Sequence, residues 1–216
     1  MLFELSRGYQ SKRNAARTAL YRRIQDAIVN TPKLLPSDAV VAYMGVEDTQ
    51  AEIICRKIIG NRTVMQFKNA EGILSAVSQG MCRYGILPME GNVKQLYDQL
   101  AAHSLYIVRC CRLDENAQYV CISRALEIYP GADRSSLCMA LSDRPGALYK
   151  VLSRLYTLGI NVVRVESKPI AHKRFHAMFY FDLETSVYSE EFVQLICELD
   201  DLCEEFSYLG SYTEVI

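Results

Sequence analysis

The chain has 216 residues and a formal net charge of −1, with 24 lysine and arginine residues against 25 aspartate and glutamate residues. Half of the residues are hydrophobic, as in a chain with a sizeable core, and this length predicts one large domain or two small ones. The near-zero charge predicts no nucleic-acid partner, and no apolar run reaches the roughly 20 residues that a membrane span needs.

The eight cysteines and three histidines do not form a metal-binding pattern. The sequence has no C-x-x-C pair, and most cysteines fall in apolar runs that are typical of buried, reduced thiols. The first residues, Met1–Arg7, lack the basic stretch and long apolar core of a signal peptide. We therefore expect a cytoplasmic protein without a metal or another cofactor.

Residues 1–31 are predicted to form one long helix, because apolar residues recur at helical spacing from Leu2 to Ile28. Thr31-Pro32 ends this helix, and Pro36 keeps the linker after it extended. The basic side chains of the helix are Arg7, Lys12, Arg13, Arg17, Arg22 and Arg23. Their charge fits either a solvated helix face or a docking face for an acidic partner or a second subunit.

Residues 37–128, the first unit, alternate between predicted strands and helices. The strands are predicted at 39–44, 64–67, 84–88, 105–110 and 118–123, and the helices at about 50–59, from Asn69 to Val77 and at about 92–103. This alternation predicts an α/β fold with a mostly parallel sheet and helices on its faces. Ligands bind at the carboxyl ends of such strands, which here are Gly45–Asp48 and Pro88–Asn92.

Residues 134–216, the second unit, show a different order of elements. The strands are predicted at 135–141, 162–167, 175–183 and 204–212, and the helices at 145–158 and about 189–199. The order β-α-β-β-α-β is that of a ferredoxin-like domain.

A proline and a glycine stand where the first helix of the second unit begins, in Asp143-Arg144-Pro145-Gly146-Ala147-Leu148. Proline suits the first turn of a helix because its missing N–H would have had no partner there. Glycine leaves the neighbouring N–H groups uncovered, and a helix start with bare N–H groups attracts a carboxylate. The stretch fits either an ordinary loop-to-helix turn or such an anion site.

The second unit closely resembles the ACT domain of prephenate dehydratases, through G-A-L at 146–148, G-I-N at 159–161 and V-E-S-K-P at 165–169. In that family the G-A-L and E-S-R-P motifs bind the feedback inhibitor phenylalanine at an interface between two ACT domains. The resemblance implies L-phenylalanine or a related aromatic amino acid as ligand, and a homodimer through the ACT domain, with or without the N-terminal helix. The ligand residues that it implies are Pro145, Gly146, Ala147, Leu148, Asn161, Glu166, Ser167, Lys168 and Pro169, with lysine where the family usually has arginine.

The first unit resembles the catalytic domain of the same family, a periplasmic-binding-protein-like α/β fold. Val41–Glu47 is similar to its opening strand, and Tyr84–Glu90 to its Y-G-V-x-P-I-E-N-S motif. The family has a second lobe after the next strand, whereas this chain continues directly from Leu113 to Asp114 and its last strand. Leu2–Gln10 resembles the end of a chorismate mutase domain. We therefore expect a mutase remnant and linker at 1–36, a truncated dehydratase lobe at 37–128 and an ACT domain at 134–216.

Several positions depart from the family's catalytic pattern. At the last three positions of the family's N-x-T-R-F segment, this chain has Ala117, Gln118 and Tyr119. Among the family's first-lobe ligands, Glu90 is all that is left of E-N-S, and Ala51 replaces a serine. Expelling hydroxide requires a proton donor, which the family's threonine can supply and Ala117 cannot. An arginine binds a carboxylate with two hydrogen bonds, and Gln118 has no charge with which to replace it.

These departures favour a degenerate, dehydratase-like protein of phenylalanine biosynthesis that binds an aromatic amino acid and has a regulatory role without dehydratase activity of its own. Other functions stay open: an active prephenate dehydratase that forms phenylpyruvate, water and CO2, a subunit that complements a mutase or dehydratase partner, or a chain without a present role. Apolar side chains bared by the missing lobe need a cover, and the N-terminal helix is the simplest one, either within its own chain or swapped across a dimer.

Overall fold

The computed structural model describes residues 19–45, 50–60, 63–89, 91, 93–112, 117–142, 144–170, 176–203 and 205–215. The elements of the first unit and the helix before it are α1 Ala19–Asn30, β1 Val40–Met44, α2 Gln50–Ile59, β2 Thr63–Phe67, α3 Ala70–Ser78, β3 Tyr84–Pro88, α4 Val93–His103, β4 Tyr106–Arg112 and β5 Gln118–Ser123. Those that follow are β6 Arg134–Ser142, α5 Ala147–Thr157, β7 Asn161–Pro169, β8 His176–Glu184, α6 Glu190–Leu202, β9 Glu205–Tyr212 and β10 Glu214–Val215.

The predicted strands and helices of both units lie within three residues of the observed ones. Asn69 caps α3 as expected, because its side-chain oxygen accepts a hydrogen bond from the Gly72 N–H at 2.9 Å. Of the helix predicted over residues 1–31, the structure describes α1, and residues 1–18 lie outside the described part of the chain. Local periodicity was therefore a good guide to the elements.

The sheet of the first unit has the order β10-β4-β5-β3-β1-β2 and is mixed. Strand β1 is parallel to β2 and β3, whereas β5 is antiparallel to both β3 and β4. The sequence predicted a mostly parallel sheet, and β5 departs from that prediction because it is antiparallel to both of its neighbours. Residues 113–117 join β4 to β5, and so short a connection cannot make the crossover that parallel neighbours require.

The sheet of the second unit has the order β7-β8-β6-β9 and is antiparallel throughout. One face packs against α5, α6 and α1 in a core that includes Leu137, Phe181 and Leu195. The other face packs against the first unit, where Tyr180 and Leu209 join the same buried cluster as helix α4. The two units therefore share one buried cluster at the face where they meet.

Helix α1 packs against the second unit. Ile24 and Ala27 are buried among the side chains of that unit's core, and the Thr31 hydroxyl accepts a hydrogen bond from the Ile128 N–H at 3.0 Å. Helix α1 thus buries its apolar side chains in the second unit; residues 1–18 of the predicted cover lie outside the described residues, so that expectation stays a prediction. Among the described residues, no helix has the length and apolar character that crossing a membrane requires.

The chain ends by returning to the first unit. In β10, Glu214 and Val215 pair with Cys110 and Cys111 of β4, next to the close approach of β9 to the same strand. No pattern in the sequence predicts a strand of two residues. As a result, the last residues of the predicted second unit extend the sheet of the first.

Candidate functional site

The backbone turn at the start of α5 is open, and no described side chain caps it. Gly146 has a left-handed backbone with φ of +85°, and a Cβ atom at this position would meet no atom within 4 Å. Among the described residues no side chain caps the helix; the Ala147 N–H donates to the Arg144 carbonyl at 3.0 Å, and the Lys150 N–H donates to the Gly146 carbonyl at 3.0 Å. Between them, the N–H groups of Leu148 and Tyr149 have no carbonyl partner within the helix. The predicted residues Pro145 and Gly146 are exposed, so this end of α5 can accept an anionic group.

The charged residues of the β7 motif face the first unit. Lys168 Nζ donates to Asp98 Oδ2 of α4 at 3.0 Å, and the Tyr180 hydroxyl donates to the other oxygen of the same carboxylate at 2.6 Å. Glu166 forms an ion pair with Lys94 at 3.4 Å, one turn earlier on α4. Two of the four residues of the E-S-K-P motif therefore hold β7 against α4, while Ser167 and Pro169 are exposed.

Asn161 lies at the other end of β7 from the start of α5. It pairs with Glu184 in the sheet, and its amide donates to the Glu184 carboxylate at 2.8 Å. Pro169 and Leu141 both pair with Ala177, so the end of β7 lies two strands from the turn before α5. The nine residues of β7 span about 26 Å at 3.3 Å per residue. Within one chain, 166–169 therefore lies level with 145–148 but two strands away, and the side chains of Glu166 and Lys168 face α4 on the side of the sheet opposite α5, while Asn161 is at the far end of β7.

An arginine of the second unit contacts the predicted degenerate position Gln118. Arg164 Nη2 donates to Gln118 Oε1 at 3.1 Å, and Arg164 Nε lies 3.6 Å from Asp182 Oδ2. The other oxygen of Asp182 accepts hydrogen bonds from the Tyr97 hydroxyl at 2.5 Å and the Ser136 hydroxyl at 2.7 Å. Burial raises the pKa of the Asp182 carboxyl, although these hydrogen bonds and Arg164 act in the opposite direction. The Arg164 guanidinium therefore places a positive charge beside Gln118, which has none of its own.

Sequence reasoning missed Arg164 and its partners. The available signal was the alternation of charged residues at 164, 166 and 168, which places all three on one face of a strand. A charged strand face is normally exposed to solvent, whereas this one contacts the first unit.

The remaining degenerate positions are only partly described. Ala117 is buried, and Tyr119 packs against the core of the first sheet. The Gln118 amide also donates to Glu214 Oε1 at 3.3 Å, which connects β5 to β10. Glu90, the side chain of Ala51 and most of the predicted edge at 45–48 lie outside the described residues. Within the described part of the chain, no group of histidine, cysteine and acidic residues could hold a metal ion.

Comparison with known proteins identifies a domain in the first unit. Residues 41–127 match the family model of prephenate dehydratase. The bifunctional chorismate mutase/prephenate dehydratase of Aquifex aeolicus is 35% identical over 86 residues, which are 40% of this chain and 24% of that protein. The match therefore spans about a quarter of the length of this curated relative.

Solved structures share the fold. A prephenate dehydratase from Arthrobacter aurescens, determined in complex with L-Phe, superposes with a TM-score of 0.70 at 17% identity, covering 81% of this chain and 90% of that one. GqqA, described as a novel type of quorum quenching acylase, also has a TM-score of 0.70, at 24% identity over 80% of this chain and 94% of that one. The α/β fold with mixed sheets is thus that of prephenate dehydratase structures.

Proposed function

We propose that this protein binds L-phenylalanine or a related aromatic amino acid at the start of α5, as a degenerate, regulatory relative of prephenate dehydratases. The open, left-handed turn at Gly146, which no described side chain caps, carries this proposal. Its N–H groups bind the carboxylate of the amino acid, and the half-buried side chains of Ala147 and Leu148 line the approach of the ring. The L-Phe complex of the Arthrobacter aurescens protein supports the choice of ligand.

The second unit is proposed to be an ACT domain that forms a homodimer through β7. Strand β7 is an edge strand that pairs only with β8 among the described residues, and Val163 and Val165 on it are about half exposed. Antiparallel pairing of two copies about Val165 would place the partner subunit's Asn161 opposite Pro169. Dimerisation would therefore supply the amide that the site lacks within one chain.

We expect L-phenylalanine to bind saturably in isothermal titration calorimetry, and Gly146→Val to weaken the binding about tenfold or more. Valine disfavours the left-handed backbone of this position, and its side chain covers the N–H groups. Calorimetry suits this chain because it contains no tryptophan that would report binding by fluorescence.

Gly60→Val is the matched control, because Gly60 has a φ of +71°, no atom within 4 Å of its Cβ position, and a place after α2 in the first unit, away from the predicted ligand residues. It should bind L-phenylalanine like the wild type. Val165→Asp on the open edge should bind as weakly as Gly146→Val if two copies form the site. The proposal is wrong if phenylalanine, tyrosine and tryptophan all fail to bind at millimolar concentration.

An active prephenate dehydratase is the second candidate function, favoured by the family model that matches residues 41–127. Against it stand the replacement of a proton donor by buried Ala117 and the direct connection from β4 to β5. We expect the purified protein to form phenylpyruvate from prephenate no faster than the spontaneous rate at the same pH. A rate that is higher, and that rises in proportion to protein concentration, would establish the enzyme instead.

A further inference from the structure

A groove of about 570 Å³ opens between α1, the end of α4 and the segment that follows β5. Three basic side chains from three separate segments line it: Arg23, His103 and Arg124. Ala27 and Leu126, which belong to the core of the second unit, contribute apolar surface. This volume falls within the range of small-molecule sites, and the groove shares no residue with the proposed amino-acid site.

The two arginines of the groove are not paired with carboxylates of the described chain. Arg23 lies over the Tyr106 ring, 5.8 Å from its centroid, and donates to the Tyr106 hydroxyl. Arg124 places its guanidinium about 3.5 Å from where a Cβ of Gly80 would be. Elsewhere in the described residues, arginine ion pairs are common: Arg83–Glu127, Arg112–Glu214, Arg134–Glu184, Arg154–Glu198 and Arg164–Asp182.

The groove therefore has positive charge that the described residues do not neutralise with a salt bridge. Asp26 is the one carboxylate among its lining residues, against two guanidinium groups and one imidazole. The chain as a whole has a net charge of −1, so this local excess does not follow from a basic composition. Cationic pockets with apolar walls concentrate anions that also have apolar surface.

We propose that this groove binds a small organic anion whose carboxylate or phosphate group contacts Arg23 and Arg124. A guanidinium group donates two parallel hydrogen bonds to either kind of oxyanion, and the apolar body of the ligand packs against Ala27 and Leu126. The amino-acid site does not use the basic residues of the N-terminal helix. In this proposal, Arg23 of that helix binds the anion.

Titration calorimetry at low ionic strength and neutral pH tests this, with phenylacetate and inorganic phosphate as the two probes. The titrations use the Gly146→Val variant, so that binding of phenylacetate at the start of α5 does not contribute. We expect saturable binding of at least one probe, weakened about tenfold or more by Arg124→Gln. Arg23→Gln should weaken binding to a similar degree. Arg124→Gln is the safer variant for folding, because Arg124 makes no hydrogen bond within the described chain, whereas Arg23 donates to Tyr106.

Lys33→Gln is the matched control, since it removes one positive charge from an exposed position that does not line the groove. Binding of phenylacetate alone assigns a carboxylate ligand, and binding of phosphate alone assigns a phosphate ligand; either supports the proposal. Failure of both probes to bind at millimolar concentration overturns it. Equal weakening by Lys33→Gln and Arg124→Gln also overturns it, because the effect would then come from overall charge.

Discussion

Gly210→Ala is expected to destabilise the protein by about 3 kcal/mol or more, as measured by urea denaturation followed by circular dichroism. A Cβ atom on Gly210 would lie 2.2 Å from the carbonyl oxygen and 3.1 Å from the nitrogen of Ile107. Both atoms belong to the backbone of β4, which the ladder with β5 holds in place. The φ of +131° at Gly210 adds strain for any residue with a side chain.

Gly159→Ala is the control for the backbone strain alone. Gly159 also has a positive φ, +67°, but no atom lies within 4 Å of its Cβ position, so we expect a loss of about 1–2 kcal/mol. Similar losses in the two variants would show that β9 does not approach β4 as closely as described. Both variants should unfold in a single transition, because a buried cluster joins the two units.

The elements of both units could be predicted because their signals are local. Strands β3 and β5 have the predicted bounds to the residue, since each is a short apolar run between polar or glycine-containing segments. Strand β10 could not be predicted, because two residues carry no periodicity. Strand β10 reaches β4 because β9 packs across β4. In the sequence, the sign of this close packing is Gly210, which has no side chain to hold the strands apart.

The turn before α5 was predictable in part, because Pro145 and Gly146 mark a helix start locally. The helix begins at Ala147, so Pro145 lies before it rather than in its first turn, and the left-handed backbone of Gly146 is seen only in the structure. Helix α4 covers the charged face of β7, and because α4 lies far earlier in the chain, no local pattern predicts this contact. Only the fold shows that Lys94 and Asp98, one turn apart on α4, meet Glu166 and Lys168.

This arrangement gives Lys168 a specific role. Lysine stands where the resembling family usually has arginine, and its single ammonium group satisfies one oxygen of Asp98 while Tyr180 satisfies the other. The bidentate geometry of arginine is therefore not needed at this contact. The strand that is proposed to bind the amino acid is held by the same helix that begins beside the predicted ligand edge of the first unit.

Asp182→Ala is expected to cost about 3 kcal/mol of unfolding free energy, whereas Asp182→Asn should cost much less. Alanine removes the acceptor of the Tyr97 and Ser136 hydroxyls and the carboxylate that faces Arg164. Arg164 already has one buried nitrogen, Nη1, without a hydrogen-bond partner. Asparagine keeps an acceptor oxygen for Tyr97 and Ser136, and it loses the charge and the second acceptor oxygen, the one that faces Arg164. Urea denaturation at neutral pH measures both differences.

The pH dependence of the Asp182→Asn variant separates burial from ion pairing. Burial raises the pKa of Asp182 above its ordinary value of 3.8, so the folded state holds this proton more tightly than the unfolded state. The stability that the protonated form supplies is therefore present at low pH and is lost as the pH rises from about 3.8 through the raised pKa. Asparagine does not titrate, so the stability of the wild type relative to Asp182→Asn should fall over this window and level off above it. A relative stability that rises instead would mean that Arg164 lowers the pKa, and that the contact between the units is an ion pair in the strict sense.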